Sequence, residues 1–282
     1  MKKITQNDYI QSVYKVIFYI EENYNTNLTL EELSKVASFS KYHFHRIFKS
    51  VIGENLSDYI RRVRFSNATL KFYTNQKITQ IAIDSGYETS SSFSKAFKNH
   101  FGITPKEFSL NIKNRKGNKM KKPKIVELEP IEVLYVRKEG AYDKAAEKAW
   151  EVLMGFAYQQ KIKLKKNLMG KSALMFGIGH DNPNIINKNR LRYDACISLD
   201  DKTVEPKGEI LKKTINGGKY ATFIHKGAYE NLISTYDVIG EWIVESAINL
   251  ADKPMFEKYL NRDPRRTKPE NLKTEIYVPI IN

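Results

Sequence analysis

IAIDSGYETSSSFSKAFKNHFGITPKEF, residues 81–108, is the stretch on which the fold turns. Ile81, Ala82 and Ile83 belong to a short helix opened by Thr79, and Gly86 in Ser85-Gly86-Tyr87 supplies a tight turn. In the next helix Phe93, Ala96, Phe97 and Phe101 recur at helical spacing and point one stripe inward. Ser90, Ser91, Ser94, Lys95 and Lys98 are left on the outer face. Thr104-Pro105-Lys106-Glu107 then reads as a capping box with proline at the first helical position, which starts a closing helix. A short helix, a turn and a second helix with a polar, cationic outer face form the helix-turn-helix arrangement.

Upstream the same pattern occurs once before. Residues 9–24 have helical apolar spacing (Tyr9, Val13, Val16, Ile17, Ile20), and Thr29 three residues before Glu32 predicts a capped short helix through Val36 and Ala37. Ser40 caps the next helix, with Phe44, Ile47, Phe48 and Val51 inward and Gly53 at its end. Its outer face carries Lys41, Tyr42, His45, Arg46 and Lys49. A longer helix from Leu56 to Thr74, with Tyr59, Ile60, Val63 and Leu70 apolar, links the two modules.

Charge follows this division. The net charge is +15 over 282 residues. Residues 1–112 hold 15 Lys/Arg against 10 Asp/Glu, residues 113–124 (KNRKGNKMKKPK) hold seven and no acid, and the remainder is nearly balanced. The middle stretch reads as an exposed basic linker, and the basic first half points to a polyanionic partner. The lone Cys196 excludes an internal disulfide and a thiolate-rich metal site, so a reducing cytoplasm is the expected compartment. The start of the chain lacks an apolar signal region and no run of 18 apolar residues occurs, so neither secretion nor membrane spanning is expected.

SKYHFHRIFKSVIG (40–53), YIRRVR (59–64) and the 81–108 segment together resemble the DNA-binding domain of the AraC/XylS family. One departure is Ser38, where the family's first turn often has glycine. The resemblance implies a transcription regulator that places two recognition helices in adjacent major grooves of double-stranded DNA, with RNA polymerase as a candidate partner. By position it assigns DNA contact to Lys41, Tyr42, His45 and Arg46, and to Ser90, Ser91, Ser94 and Lys95. His43 and His45 have no cysteine or carboxylate cluster beside them, so neither a metal nor another cofactor is expected.

Beyond Pro123 strands alternate with helices. A β-rich run ends at Val133–Val136, followed by Gly140-Ala141-Tyr142-Asp143 and a helix to about Tyr158. KYATFI (219–224), Gly227-Ala228-Tyr229-Glu230 and a helix through Ile248 repeat it, with the two GlyAlaTyr turns 87 residues apart. RYDACISL (192–199) and KTEIYVPI (273–280) are matching later strands, with Asp194 opposite Glu275. The fold class expected is thus two domains: an all-α double helix-turn-helix at 1–112, a linker at 113–124, and an α+β duplicated strand-helix-strand domain at 125–282. RYDACISL, GGKYATFIHKGAYENL and TEIYVPI make this second part similar to the GyrI-like small-molecule-binding domain. The resemblance implies a cleft between the repeats that takes a lipophilic, often cationic, effector against an acid and aromatic walls. It matches Glu275 to that acid, with Trp242 and Tyr229 as walls and Asp194 as pseudo-symmetric partner.

Three functions compete at this level: a ligand-responsive regulator, a constitutive regulator whose second domain makes protein contacts, and a weak hydrolase using Glu275 and Trp242. No Ser/His/Asp set, phosphate loop or metal cluster supports the last, and an enzyme is not expected.

Overall fold

The computed structural model describes residues 6–113, 122–162, 173–184, 186–199, 204–261 and 264–281. It divides into two compact units, Met1–Asn114 and Arg115–Asn282. Of the expected basic linker, residues 114–121 lie outside the described ones.

The first unit is helical: α1 (Gln6–Asn23), α2 (Leu30–Val36), α3 (Lys41–Ile52), α4 (Leu56–Lys71), α5 (Ile78–Asp84), α6 (Ser90–Phe101) and α7 (Pro105–Lys113). The second module repeats the first at an offset of 49 residues, visible in the caps. Ser40 accepts from the His43 amide and Thr89 from the Ser92 amide, while Gly53 and Gly102 close their helices at φ 76. The Thr104–Glu107 box is complete, with the Thr104 amide donating to Glu107 at 2.7 Å and the Glu107 amide to Thr104 Oγ1 at 3.2 Å. The Thr29–Glu32 box is only half formed, because the Tyr19 hydroxyl takes the Glu32 carboxylate at 2.5 Å. Several helix bounds differ from expectation by a few residues. α5 starts at Ile78 rather than Thr79, and α4 stops at Lys71, where the Thr74 hydroxyl donates back to the Lys71 carbonyl (2.7 Å). The first module packs aliphatic α1 residues (Val13, Val16, Ile17, Ile20) on Phe44, Phe48, Tyr59 and Val63. The second is aromatic, with Phe97 5.6 Å from Phe65 and 5.5 Å from Phe72.

Ser38 occupies the left-handed region at φ 58. The first turn therefore keeps the backbone a glycine would take, on a residue whose β-carbon opposes it. Ser38→Gly is expected to stabilise the first unit by about 0.5–1 kcal/mol, the relief of strain exceeding the added chain entropy. A lower thermal midpoint, read by helical circular dichroism, would contradict this.

The second unit contains β1 (Lys124–Leu128), β2 (Ile131–Glu139), α8 (Tyr142–Gln159), β3 (Met175–Gly179), β4 (Arg192–Ser198), β5 (Leu211–Ile215), β6 (Gly218–Lys226), α9 (Leu232–Ser246), β7 (Phe256–Tyr259) and β8 (Lys273–Pro279). The eight strands form one antiparallel sheet in the order β1-β6-β8-β7-β3-β4-β2-β5. Exchanging each strand for its repeat mate, β1 for β5, β2 for β6, β3 for β7 and β4 for β8, reverses that order and leaves it unchanged. The pseudo-twofold therefore falls at the central β7–β3 seam. There Gly177 pairs with Glu257.

One row of register partners crosses six strands: Phe223, Ile276, Glu257, Gly177, Ala195 and Val136. Cross-strand partners share a face. α8 packs over Val136 and Ala195, and Trp242 of α9 lies 5.1 Å from Phe223, so both helices cover this face. The opposite face holds Tyr135, Cys196, Phe176, Phe256, Tyr277 and Tyr220.

Candidate DNA interface and ligand site

The two recognition helices are equal in length and unequal in chemistry. On α3, Lys41, Tyr42, His45 and Arg46 are exposed, Tyr42 to 77%. Arg46, one turn on, lies 5.9 Å over the Tyr42 ring, which limits where its guanidinium fork can point. Lys41 pairs with Glu31 at 2.8 Å, and Lys35 pairs with the same carboxylate. Exposed pairs of this kind contribute little, so Lys41 can exchange its partner for a phosphate at small cost. On α6, Ser91 and Lys95 are exposed and Ser90 and Ser94 half-buried. The 49-residue offset sets Lys95 where the first module has Arg46. His43 is exposed as well, its ring stacked 5.7 Å from Tyr9 and tilted 5.3 Å from Phe39.

In the second unit the sheet face under α8 and α9 contains a buried acid, Glu257. Tyr236 of α9 donates to its Oε1 at 3.0 Å and Tyr259 to its Oε2 at 2.7 Å. Tyr259 is in turn 2.8 Å from the Tyr193 hydroxyl, and Trp150 Nε1 of α8 donates to Tyr193 at 3.0 Å. Tyr259 has spent its one proton on Glu257, so Tyr193 must donate to Tyr259, and the chain Trp150–Tyr193–Tyr259–Glu257 has one direction. Tyr229 stands 5.4 Å from Tyr259. Burial pushes the Glu257 carboxyl above its usual range against the two tyrosine hydroxyls, which favour its charged form. Among the described residues no cation pairs with it. Burial, with Glu257 nearby, also raises the Tyr236 and Tyr259 hydroxyls, and pushes Tyr229 up to about 12.

Room for this cluster comes from the other repeat. Met175-Phe176-Gly177-Ile178-Gly179 aligns with Met255-Phe256-Glu257-Lys258-Tyr259, because Phe176 pairs with Cys196 as Phe256 pairs with Tyr277. Glycines thus stand where the second repeat has Glu257 and Tyr259. A β-carbon on Gly177 would fall on the Tyr193 and Tyr259 hydroxyls, and one on Gly179 would stand 3.0 Å from that of Tyr142.

A model described as the GyrI-like small molecule binding domain matches residues 121–281, and one described as a helix-turn-helix domain matches residues 33–111. The chain belongs to the AraC-type regulators that carry a GyrI-like domain. It is similar to the HTH-type transcriptional activator AarP of Providencia stuartii, 30% identical over 35% of this chain and 74% of that one. It is also similar to the uncharacterized HTH-type transcriptional regulator YbfP of Bacillus subtilis, 34% identical over 37% of this chain but only 36% of that one. A solved hydrolase from Listeria innocua shares 17% identity over 57% of this chain and 92% of its own, with a TM-score of 0.44. A likeness of that degree says nothing about chemistry.

Within this GyrI-like domain only Tyr229, of the four ligand residues expected from sequence, adjoins the buried acid. Glu275 is half-buried in the row Ile224, Glu275, Lys258, Phe176, Cys196 and Tyr135, on the opposite face, and there Tyr277 donates to it at 2.6 Å. Strand alternation thus separates Glu275 from Trp242, which packs on Phe223 under α9. Asp194 is fully buried on that opposite face too, bound by Arg137 at 2.6 and 2.8 Å, by His180 at 2.8 Å and by Lys213. Glu257, Tyr259, Tyr236, Trp150 and Tyr193 were not expected. The repeated MetPhe at 175–176 and 255–256 was the signal that could have found the first two: it sets an acid and a tyrosine against two glycines.

Proposed function

We propose that the chain is a DNA-binding transcription regulator whose effector is a lipophilic cation held at Glu257. The observation that carries this is the carboxylate itself, buried among tyrosine hydroxyls with no paired cation among the described residues. A dry carboxylate is costly unless something offsets it. A cation between Trp150, Tyr229 and Tyr259 would meet both Coulomb attraction and the negative faces of the rings. The cytoplasm is the compartment this function calls for, and RNA polymerase the partner whose recruitment it would alter. Thermal shift of the full chain with benzyltrimethylammonium and with its uncharged carbon isostere tests the reading. Stabilisation by the cation alone, followed by a changed affinity for DNA, is the expected result. Equal response to both compounds, or to neither, would refute cation recognition.

On the DNA side, α3 and α6 would enter successive major grooves roughly 10 bp apart on one face. Lys41, Tyr42, His45 and Arg46 supply most of the base discrimination, with Arg46 matched to the O6 and N7 of guanine. Ser90, Ser91, Ser94 and Lys95 give a weaker code and serve more to fix position through phosphates. Arg46→Ala is expected to relax preference at one base position by about 1–3 kcal/mol, measured on duplexes selected from a random pool. A uniform loss over all sequences would instead make Arg46 a phosphate clamp.

A further inference from the structure

The linking helix α4 commits two of its half-buried cations to internal partners. Arg64 Nε donates to the Tyr24 carbonyl and Nη2 to the Thr26 carbonyl, each at 2.8 Å, just beyond the end of α1. Its guanidinium lies 5.6 Å over Tyr87, which belongs to the turn of the second module. Two turns along α4, Lys71 Nζ donates to the Asp84 carbonyl at the end of α5 (3.1 Å) and to the Tyr24 hydroxyl (3.3 Å). Gly86, at φ 78, lets the second turn come against the first module. A β-carbon there would stand 2.8 Å from the Tyr24 carbonyl oxygen and 3.0 Å from Asn25 Cα. The end of α1, the linking helix and the α5–α6 turn therefore meet at one polar joint.

We infer that this joint sets the separation and angle of the two recognition helices, so that Arg64 and Lys71 are positioning residues for DNA readout and not DNA contacts. The inference rests on the reading that α3 and α6 enter successive grooves. Apolar packing holds α4 to both modules, Tyr59 and Val63 to the first and Phe65 with Phe72 to the second. Such contacts are non-directional and tolerate small rotations, so the angle between the modules still needs a directional pin. A planar guanidinium that bridges two carbonyls in fixed directions is such a pin, and its half-buried stack on Tyr87 orients the second turn from the other side. With the joint closed, one spacing between half-sites admits both helices. With it open, neighbouring spacings become reachable and the preferred one loses its preorganisation.

The test uses the full chain and a pool of duplexes carrying random sequence. Wild type is expected to select two recurring blocks at a single spacing. Arg64→Gln removes the charged planar fork, and Lys71→Met keeps the length without the donor. Each variant, first shown folded by helical circular dichroism, is expected to select blocks spread over spacings one base pair either side. Affinity for the original spacing should fall about tenfold, with an unchanged dependence on salt. Should one variant fail to fold, the other carries the test. A salt slope lowered by about 1 with the spacing preserved would make the residue a phosphate contact and overturn the inference. So would wild-type spacing and wild-type slope in both variants. A wild-type pool without paired blocks would instead overturn the two-groove reading, and the role of the joint with it.

Discussion

Asp194→Asn is expected to cost the second unit about 3–5 kcal/mol. Asp194 is fully buried, and Arg137, Lys213 and His180 all converge on its two oxygens. Arg137 is 4% exposed and the Lys213 side chain 10%, so neither can recover its hydration without the sheet opening. An amide has no net charge to offset theirs, and its nitrogen would present hydrogens to groups that are themselves donors. Burial works against the Asp194 charge, but Arg137, Lys213 and His180 outweigh it and hold the carboxyl well below the usual range. A carboxyl with a lowered folded pKa contributes stability that is present above its unfolded value, near 3.9, and lost as pH falls through the folded one. The deficit of the variant should therefore be full at neutral pH and shrink only in strong acid. Both tryptophans, Trp150 and Trp242, lie in the second unit, so fluorescence during urea unfolding follows that unit alone. An unchanged urea midpoint at pH 7 would show that Arg137 and Lys213 reach water and that the cluster is not the dry lock its burial implies.

The halves of the molecule differ in how far the sequence exposes them. The recognition helices are written in local signals: Ser40 and Thr89 as caps, Gly53 and Gly102 as stops, phenylalanines at helical spacing between. Each depends on neighbours within a dozen residues, so α3 and α6 can be read directly. Ser38 shows the limit of that reading, since a serine at φ 58 takes the glycine conformation without the glycine. The proposed ligand site is non-local. Glu257 is buried because β3, 80 residues earlier, supplies Gly177 opposite it, and because α8 and α9 close over the same face. The GlyAlaTyr repeat locates the two halves of the domain correctly, and its extension to RYDACISL and KTEIYVPI pairs the right strands. It cannot say which face of a strand turns toward the helices. Glu275 and Glu257 sit on adjacent strands in β8 and β7, and one position of alternation decides that the second, not the first, faces the helices.

Glu257→Gln is expected to abolish cation binding while making the free protein more stable. The amide has nearly the shape of the carboxylate and can still accept from Tyr236 or Tyr259, but it offers no charge. Removing one charge of a buried pair costs about 3 kcal/mol or more, so affinity for a lipophilic cation should fall by at least about 100-fold. Stability moves the other way. Burial raises the Glu257 carboxyl, and the ligand-free fold therefore binds that proton more tightly than the unfolded chain does. An acid with a raised folded pKa contributes stability that is full below its unfolded value and is lost as pH climbs through the folded one. The glutamine variant stays neutral throughout. Its unfolding midpoint should exceed that of wild type at pH 8, and the gap should close as the pH is lowered toward 4. Cation affinity in wild type should fall as the pH is lowered over the same interval, because binding favours the ionised form. These opposite signs separate a ligand carboxylate from a structural one. If Glu257 were held by an internal partner, as Asp194 is, the glutamine variant would be less stable than wild type at pH 8, and the cation would be bound elsewhere with unchanged affinity.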